Sequence, residues 1–370
     1  MKIDRIILYH LRMPLISAFE TSFGRILTRD CVLVEAFAGG MVGYGECPAD
    51  RDPGYSYETV GTAMHIMQDF LVPAVLGQEI SAAEDLQHRM AFVRGHMMAK
   101  AGLEMALWDL LGKVQGRSLS EMLGGLRQKV DVGVSVGLQE SPHRLVDVVH
   151  EYLDLGYRRV KIKIKPGRDV VDAQAVRNEF PSLRLQVDAN SAYSLEGAAS
   201  LIPLDELELL LIEQPLAEDD LWDHRQLQAR FRTPICLDES ITSISLARQA
   251  LEMRACRVIN IKPGRVGGLS QGLAIHNLCQ SYGIPVWCGG MLETGVGRAS
   301  NLALASLPGF TLPGDISATD RYYHEDITHE RFILNPDSTI DVPSGPGLGV
   351  SIDPNALKRA TLARINMASH

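Results

Sequence analysis

Five charged residues of the kinds that move protons or bind metal ions recur at nearly equal intervals through the middle of this 370-residue chain. Lys163, Asp188, Glu213, Asp238 and Lys262 are separated by 25, 25, 25 and 24 residues, and each stands at or near the end of a short apolar run. Such an interval fits one strand and one helix, so the spacing predicts βα units repeated around a parallel barrel. Because these barrels carry their chemistry at the carboxyl ends of the strands, the five residues are a candidate active site.

The segment 160–164, with the sequence VKIKI, alternates apolar and basic residues. Successive side chains of a strand point to opposite faces, so we expect the apolar set to face the outer helices and Lys161 and Lys163 to face the barrel interior. Burial there disfavours an ammonium ion and is expected to lower its pKa. The alternative is a solvated basic face on an edge strand, which is less favoured because a closed barrel has no edge.

Asp188, Glu213 and Asp238 are predicted to end three consecutive strands. Adjacent strands lie about 4.8 Å apart, so the three carboxylates are expected to converge. Their mutual repulsion then requires a cation. An all-oxygen ligand set without cysteine or histidine favours a hard divalent ion, Mg²⁺ before Mn²⁺. Each residue alone is also typical of a helix N-cap, but three in register favour a metal site.

In an eight-stranded barrel the second and sixth strands are opposed, so Lys163 and Lys262 are expected to face each other across the mouth. A metal-bound substrate carboxylate between them suits removal of the proton α to that carboxylate, with the ion stabilising the resulting enediolate. Two opposed bases predict racemisation or epimerisation. A single base, with the other lysine serving only as a cation, would suit β-elimination.

The elements that must position these residues fall into two groups. Residues 1–50 have the pattern of strands with a hairpin turn at 38–40, and residues 57–125 have helical spacing at 59–72 and 100–114. Strands followed by helices without alternation predict a separate α+β domain. Strands and helices alternate after that point. The predicted strands are 130–136, 160–164, 183–187, 209–212, 235–237, 258–261 and 285–288, with a short eighth at 310–312.

The composition is that of an ordinary globular protein, with 46% apolar and 22% charged residues. A formal net charge of −9 argues against nucleic acid or an anionic membrane as a partner. No apolar run is long enough to span a bilayer, and we expect no signal peptide at residues 1–10. The six cysteines form no CxxC pair, so they are interpreted as reduced thiols of a cytoplasmic enzyme.

Seven segments in combination resemble the muconate-lactonising subgroup of the enolase superfamily, and more closely its N-acylamino acid (N-succinylamino acid) racemase / o-succinylbenzoate synthase family. They are KIKIKPG, VDAN, IEQPL, LDES, NIKPGRVGG, WCGGMLETGVGR and LPGD. The resemblance covers nearly the whole chain, including SAFETSFG near its beginning. It implies an α/β fold, a (β/α)7β TIM-like barrel with an N-terminal α+β capping domain. Residues 1–125 would form the cap, 126–325 the barrel, and 326–370 a C-terminal segment that packs back on the cap.

The resemblance also implies roles for the charged residues. Asp188, Glu213 and Asp238 would bind Mg²⁺, for which Mn²⁺ or another divalent ion can substitute, and Lys163 and Lys262 would be the acid–base pair.

Further residues are implied around that centre. Lys161 and Asn190 would contact the substrate, and Asn190 and Glu239 would also support the ligands. Arg265 resembles the racemase-competent branch, where a second cation is expected to lower the pKa of Lys262; it is equally typical of an ordinary loop residue.

Specificity is expected to come from the capping loops 19–24 and 48–55 and from three strand ends. Phe19 and Phe23 would form an apolar wall for a substrate side chain or else belong to the core of the cap. Ser135 and the segment Gly290, Met291 and Leu292 would meet the acyl part of the substrate. Two departures from the family pattern concern substrate preference, Arg168 where relatives commonly carry Trp and Ile316 where Thr is frequent.

Two reactions on a small carboxylate substrate stay open, the racemisation of N-acyl amino acids and the syn-dehydration that yields o-succinylbenzoate for menaquinone synthesis. A Schiff-base barrel enzyme with a glycine-rich phosphate site, and a non-catalytic scaffold, are less favoured because they leave the three acids unexplained. The resemblance further implies a homo-oligomer, either a dimer or an octamer.

Overall fold

The computed structural model describes residues 1–21 and 24–369. An antiparallel sheet in the strand order β13-β1-β2-β3 forms one part of the molecule. Its strands are β1 (Arg5–Thr21), β2 (Gly24–Ala38), β3 (Met41–Cys47) and β13 (Thr361–Ala368). The C-terminal strand β13 pairs with β1 and so lies at the edge of this sheet. The hairpin turn expected at 38–40 joins β2 to β3.

Helices pack on this sheet and bury its apolar face. They are α1 (Val60–Ile66), continued by a π-helical turn at Met67–Leu71, α2 (Val72–Val75), α3 (Ala83–Met90), α4 (Met97–Gln115) and α5 (Leu119–Leu123). The helix α4 lies directly against β3, since a Cβ added at Gly43 or Gly45 would meet helix backbone atoms at 2.2 Å. Glycine at these two positions therefore allows a backbone-to-backbone contact that a side chain would prevent.

A parallel sheet of seven strands in the order β11-β10-β9-β8-β7-β6-β5 forms the second part. Its strands are β5 (Val134–Val136), β6 (Arg159–Lys163), β7 (Arg184–Asp188), β8 (Ile212–Glu213), β9 (Ile235–Leu237), β10 (Val258–Ile261) and β11 (Val286–Cys288). The helices beside them are α6 (Pro142–Asp154), α7 (Asp169–Glu179), α8 (Leu221–Arg230), α9 (Ile244–Met253), α10 (Pro263–Val266), α11 (Leu269–Ser281) and α12 (Gly295–Ala305), with a 3-10 segment at Gly197–Glu206. The expected alternation of strands and helices is confirmed.

The predicted eighth strand at 310–312 is not a regular strand. Instead, Phe310 bridges Val286 on one side and Gly314 bridges Val132 on the other, so this segment closes the curled sheet through single contacts. Proline at 308 and 313 interrupts the run, because proline cannot donate a ladder hydrogen bond.

The predicted first strand at 130–136 is two strands. The first of them, β4 (Lys129–Asp131), pairs with β12 (Thr339–Asp341) outside the barrel, and only β5 joins the parallel sheet. The break falls at Gly133, where a Cβ would meet the Arg159 side chain at 2.4 Å. The remaining elements are a 3-10 turn at Thr319–Arg321 and α13 (Pro354–Ala360).

The helix expected after the first barrel strand is present with its expected signals. Ser141 caps α6 by accepting a hydrogen bond from the Arg144 amide at 3.1 Å, and Pro142 is its first residue. Gly156 follows its end with a φ of +106°, a conformation open to glycine.

Candidate active site

The strand β6 places its basic residues inside the barrel, as the alternation predicted. Val160 and Ile162 are fully buried in the outer core, while Lys161 and Lys163 are 3% and 8% exposed on the other face. Arg159 shares that inward face and is fully buried.

Register brings the acids beside these lysines. Lys163 pairs with Asp188 across β6 and β7, and Asp188 pairs with Glu213 across β7 and β8. Asp238 directly follows β9. All three carboxylates are buried, with exposures of 1%, 0% and 0%. The three strand ends therefore lie side by side in the sheet.

Lys161 lies at the centre of a group of carboxylates. Its Nζ is 2.7 Å from Asp315 Oδ2, 2.8 Å from Glu213 Oε2 and 3.0 Å from Asp188 Oδ2. Burial acts against the ammonium charge, but these three neighbours outweigh it and raise the pKa of Lys161 well above its usual range. Burial therefore has the expected direction, but the net pKa of Lys161 is raised because the expectation left out the carboxylates around it.

The other two lysines each bind one acid. Lys163 Nζ donates to Asp188 Oδ2 at 2.6 Å and to Asn190 Oδ1 at 2.7 Å. Lys262 Nζ donates to Asp238 Oδ2 at 2.8 Å and to the Tyr55 hydroxyl at 2.9 Å. The two lysines thus lie beside different acids, on strands four positions apart in the sheet.

Arg265 approaches the same acid as Lys262. It forms an ion pair with Asp238 and donates to the Tyr55 hydroxyl at 3.1 Å. Burial opposes the charge of Lys262, and Arg265 acts in the same direction, as expected. Asp238 and Tyr55 outweigh both, so the net pKa of Lys262 is raised.

Asn190 and Glu239 lie together next to the acids. The Asn190 amide donates to Glu239 Oε1 at 2.9 Å. Burial, followed by the charges of Asp238 and Asp188, raises the pKa of Glu239 to about 7. Among the described residues, Glu239 Oε2 is buried and has no hydrogen-bond partner.

The chemistry of this cluster fits a hard cation. Its donors are carboxylate oxygens, and burial together with Asp188 raises the pKa of Glu213 well above its usual range, so added positive charge is favoured there. Within residues 1–21 and 24–369, no three His, Cys, Asp or Glu side chains are arranged as a ready metal site. The oxygens are turned toward Lys161, Lys163, Lys262 and Arg265, which they would have to exchange for an ion.

A cavity of about 260 Å³ opens above this cluster. Residues 48, 50, 52, 54 and 55 of the expected capping loop line the cavity. Most of the residues expected to contact the substrate also line it, namely Phe19, Ser135, Lys161, Lys163, Asn190, Lys262, Gly290, Met291 and Leu292. Asp188, Glu213 and Asp238 lie beneath the lysines, and Glu239 and Arg265 lie outside the lining. Phe19 faces the cavity and contacts the Tyr322 ring edge-to-face at 6.4 Å. Phe23 lies outside the described residues.

Two family matches together span most of the chain. Residues 4–124 match the mandelate racemase / muconate lactonizing enzyme N-terminal domain, and residues 144–356 match the enolase C-terminal domain-like family. The chain belongs to the enolase superfamily. The expected resemblance is thereby confirmed at the level of the superfamily.

Individual relatives from the superfamily support the narrower resemblance. The chain is 47% identical over 364 residues to o-succinylbenzoate synthase of Bacillus subtilis, covering 97% of this chain and 96% of that protein. It is 49% identical over 362 residues to N-succinylamino acid racemase of Thermus thermophilus, covering 98% of each. A solved enolase superfamily member from Listeria innocua superimposes with a TM-score of 0.96 at 42% identity, covering 100% of this chain and 99% of that one. Expectations of an enzyme and of a barrel with a capping domain are confirmed.

Two further findings concern the helices and the cysteines. Across the described ranges, no helix is long and apolar enough to cross a bilayer. All six cysteines are buried and free.

Several residues that contact the lysines and acids of the cluster were missed from the sequence. Asp315 forms ion pairs with Lys161 and with Arg159, whose Nη1 lies 2.6 Å from Asp315 Oδ1. Its role was missed even though Asp315 belongs to the LPGD segment. Asn260 donates to Glu213 Oε1 at 2.8 Å. Tyr55 contacts Lys262 from the capping loop. The strand alternation of 159, 161 and 163 could have indicated Arg159, but the contacts of Tyr55 carry no signal in local sequence.

Proposed function

We propose that the enzyme removes the proton α to a carboxylate and racemises N-succinyl or other N-acyl amino acids by a two-lysine mechanism. The observation that carries this proposal is the pair Lys163 and Lys262, which line one cavity from strands four positions apart. Bases on two sides of a planar intermediate can take a proton from one face and deliver one to the other.

Asp188, Glu213 and Asp238 are proposed as the ligands of Mg²⁺, for which Mn²⁺ or another divalent ion can substitute. When bound, such an ion would supply positive charge next to the substrate carboxylate as negative charge develops on it. The oxygen-only donor set supports this assignment.

The chain's own residues then have distinct tasks. Lys161 offers a permanent positive charge to the substrate carboxylate, because its pKa is raised. Lys163 removes the proton from one enantiomer and Lys262 from the other, and the partner lysine returns a proton to the opposite face of the enediolate. Asn190 orients Lys163, and Glu239 orients Asn190 in turn. Arg265 holds Asp238.

The walls of the cavity are proposed to recognise the rest of the substrate. Ser135 and the segment 290–292 would meet the acyl group. The Ser135 Oγ supports this, because it is buried without a partner among the described residues and lines the cavity. Phe19 would contact the amino-acid side chain, and Phe23 is proposed for the same wall from the sequence alone.

A second candidate is the syn-dehydration that produces o-succinylbenzoate in menaquinone biosynthesis. Relatives with this name and relatives named as racemases are almost equally similar, at 47% and 49% identity. Both reactions begin with removal of the same kind of proton, so one enzyme can perform both.

Incubation in D₂O with Mg²⁺ tests the proposal directly. We expect α-proton exchange and racemisation of an N-succinyl amino acid. NMR measures the exchange, and optical rotation measures the racemisation. The o-succinylbenzoate precursor is assayed in parallel by absorbance. Exchange without dehydration would support racemisation as the single activity, and dehydration without exchange would favour the second candidate. If neither activity is detected, the proposed function is refuted.

The cellular location, the oligomeric state and the domain boundaries are proposed from the same resemblance. We propose a cytoplasmic homo-oligomer, a dimer or octamer, with division of the chain at about residues 125 and 325. Light scattering coupled to gel filtration would measure the number of subunits, and a monomer would contradict the proposal.

A further inference from the structure

One buried arginine of the capping sheet joins two walls of the substrate cavity. Arg29 lies on β2, is 3% exposed, and lines the cavity. Its Nε donates to the Met291 carbonyl at 3.0 Å, and its Nη2 donates to the Pro48 carbonyl. Its Nη1 is 3.1 Å from Asp50 Oδ2. The guanidinium therefore binds both the loop 48–55 and the segment 289–292.

The loop end of this connection reaches the proposed base. Pro48 and Asp50 begin the loop, and Tyr55 at its other end accepts a hydrogen bond from Lys262. Lys163 instead contacts Asp188 and Asn190, which belong to the barrel. A displacement of the loop would therefore act on Lys262 more directly than on Lys163.

The barrel end of the connection is a backbone turn with an unusual conformation. Leu292 has a φ of +60°, which is costly for a residue with a side chain and persists only where neighbours enforce it. Arg29 holds the Met291 carbonyl, the Tyr323 hydroxyl donates to the Leu292 carbonyl, and the Met291 amide donates to Glu293 at 2.7 Å. Of these three contacts, the hydrogen bond from Arg29 is the one that comes from the capping sheet, on strand β2.

We propose that Arg29 is a positioning residue that couples the position of the loop 48–55 to the shape of the cavity wall at 289–292 and to the placement of Lys262. The guanidinium is required because it offers planar N–H donors in several directions, whereas a lysine at this place retains the charge but not that geometry. This inference rests on the proposed function for its kinetic consequence.

The test compares Arg29→Lys with Arg12→Lys. Arg12 is an arginine of the same sheet whose hydrogen bonds, within the described residues, go to Asp30 and to neither loop. The first measurement is amide hydrogen exchange by mass spectrometry, which needs no substrate. In Arg29→Lys, we expect residues 48–55 and 289–294 to lose protection together while β10 is unchanged. Arg12→Lys should leave both segments as in the parent enzyme.

The second measurement is α-proton exchange in D₂O for each enantiomer of an N-succinyl amino acid. The enantiomer whose exchange depends on Lys262 is identified with Lys262→Ala. Arg29→Lys should slow that enantiomer about tenfold more than the other, a loss comparable to that of one well-placed hydrogen bond. A general structural defect would slow both enantiomers alike.

A milder variant protects the test against poor folding of Arg29→Lys. Asp50→Asn weakens only the loop side, and the Asp50 side chain is 28% exposed. It should reduce protection of 48–55 and 289–294 together. Loss in one segment only, or equal slowing of both enantiomers, would overturn the coupling. If the parent enzyme exchanges neither enantiomer, the proposed function fails, while hydrogen exchange still decides whether Arg29 links the two segments.

Discussion

Lys161 and Asp315 form a buried ion pair of 2.7 Å between the second strand of the barrel and the irregular segment that closes it. Asp315 also binds Arg159 at 2.6 Å, so two inward cations of β6 hold one carboxylate. The closing segment has only isolated bridges to its neighbouring strands. This pairing therefore compensates for the missing ladder and keeps Lys161 directed at the acids.

Replacement of Asp315 tests this compensation. Asp315→Asn leaves two buried cations without their shared charge, and we expect a loss of about 3 kcal/mol in the free energy of unfolding. The control is Asp341→Asn, since Asp341 is exposed and lies 3.8 Å from Lys129. Chemical denaturation measures both variants. Equal stability of the two would show that the Lys161–Asp315 pair does not support the barrel closure.

Replacement of each proposed base should remove one direction of proton transfer. Lys163→Ala and Lys262→Ala are expected to lower exchange of opposite enantiomers by about 10²- to 10⁴-fold, the usual contribution of a general base. Lys165→Ala is the matched control, because Lys165 is exposed at the end of the same segment. Exchange rates in D₂O are measured by NMR. Normal exchange of both enantiomers by both variants would show that the two-base assignment is wrong.

Removal of divalent ions should stop the reaction. The three buried acids have oxygen donors suited to Mg²⁺, so EDTA is expected to abolish α-proton exchange and added Mg²⁺ to restore it. Borohydride in the presence of substrate should trap no lysine adduct. Activity that survives EDTA, together with a trapped adduct found by mass spectrometry, would instead support a Schiff-base enzyme.

Glu46 should make stability depend on pH. Its carboxylate accepts hydrogen bonds from the Thr294 amide at 3.1 Å and the Gly297 amide at 3.1 Å at the start of α12. Burial, followed by the charge of Glu293, raises the pKa of Glu46 from 4.5 to about 7. The folded state therefore holds this proton more tightly than the unfolded state does.

The stability linked to this proton is fully present below pH 4.5 and is lost as the pH rises through about 7. A shift of this size corresponds to about 3 kcal/mol. The Glu46→Gln side chain cannot ionise, so this variant should not lose that stability. Its free energy of unfolding should therefore rise relative to that of the parent enzyme as the pH increases between these two values. Denaturation curves at several pH values measure the difference. A difference that does not change with pH would contradict the raised pKa.

Local pattern was enough to predict the parts of the site that lie on strands. Alternation in β6 placed Lys161 and Lys163 inward, and the regular spacing placed Asp188 and Glu213 at adjacent strand ends. These inferences succeeded because strand geometry and the βα repeat depend on neighbouring residues. Prediction was weaker at the barrel closure. Prolines interrupt the expected eighth strand there, and the segment contacts its neighbours through single bridges.

The sequence by itself determined the barrel with its cap, the superfamily, and the five charged residues at the strand ends. Tertiary structure alone decided how those charges are balanced. The pKa of Lys161 is raised because Asp315, 154 residues further along the chain, lies beside it together with Glu213 and Asp188. The connection of Lys262 to Tyr55, and of Arg29 to two cavity walls, likewise joins distant segments. Electrostatic interactions depend on distances in space, which spacing along the chain does not specify.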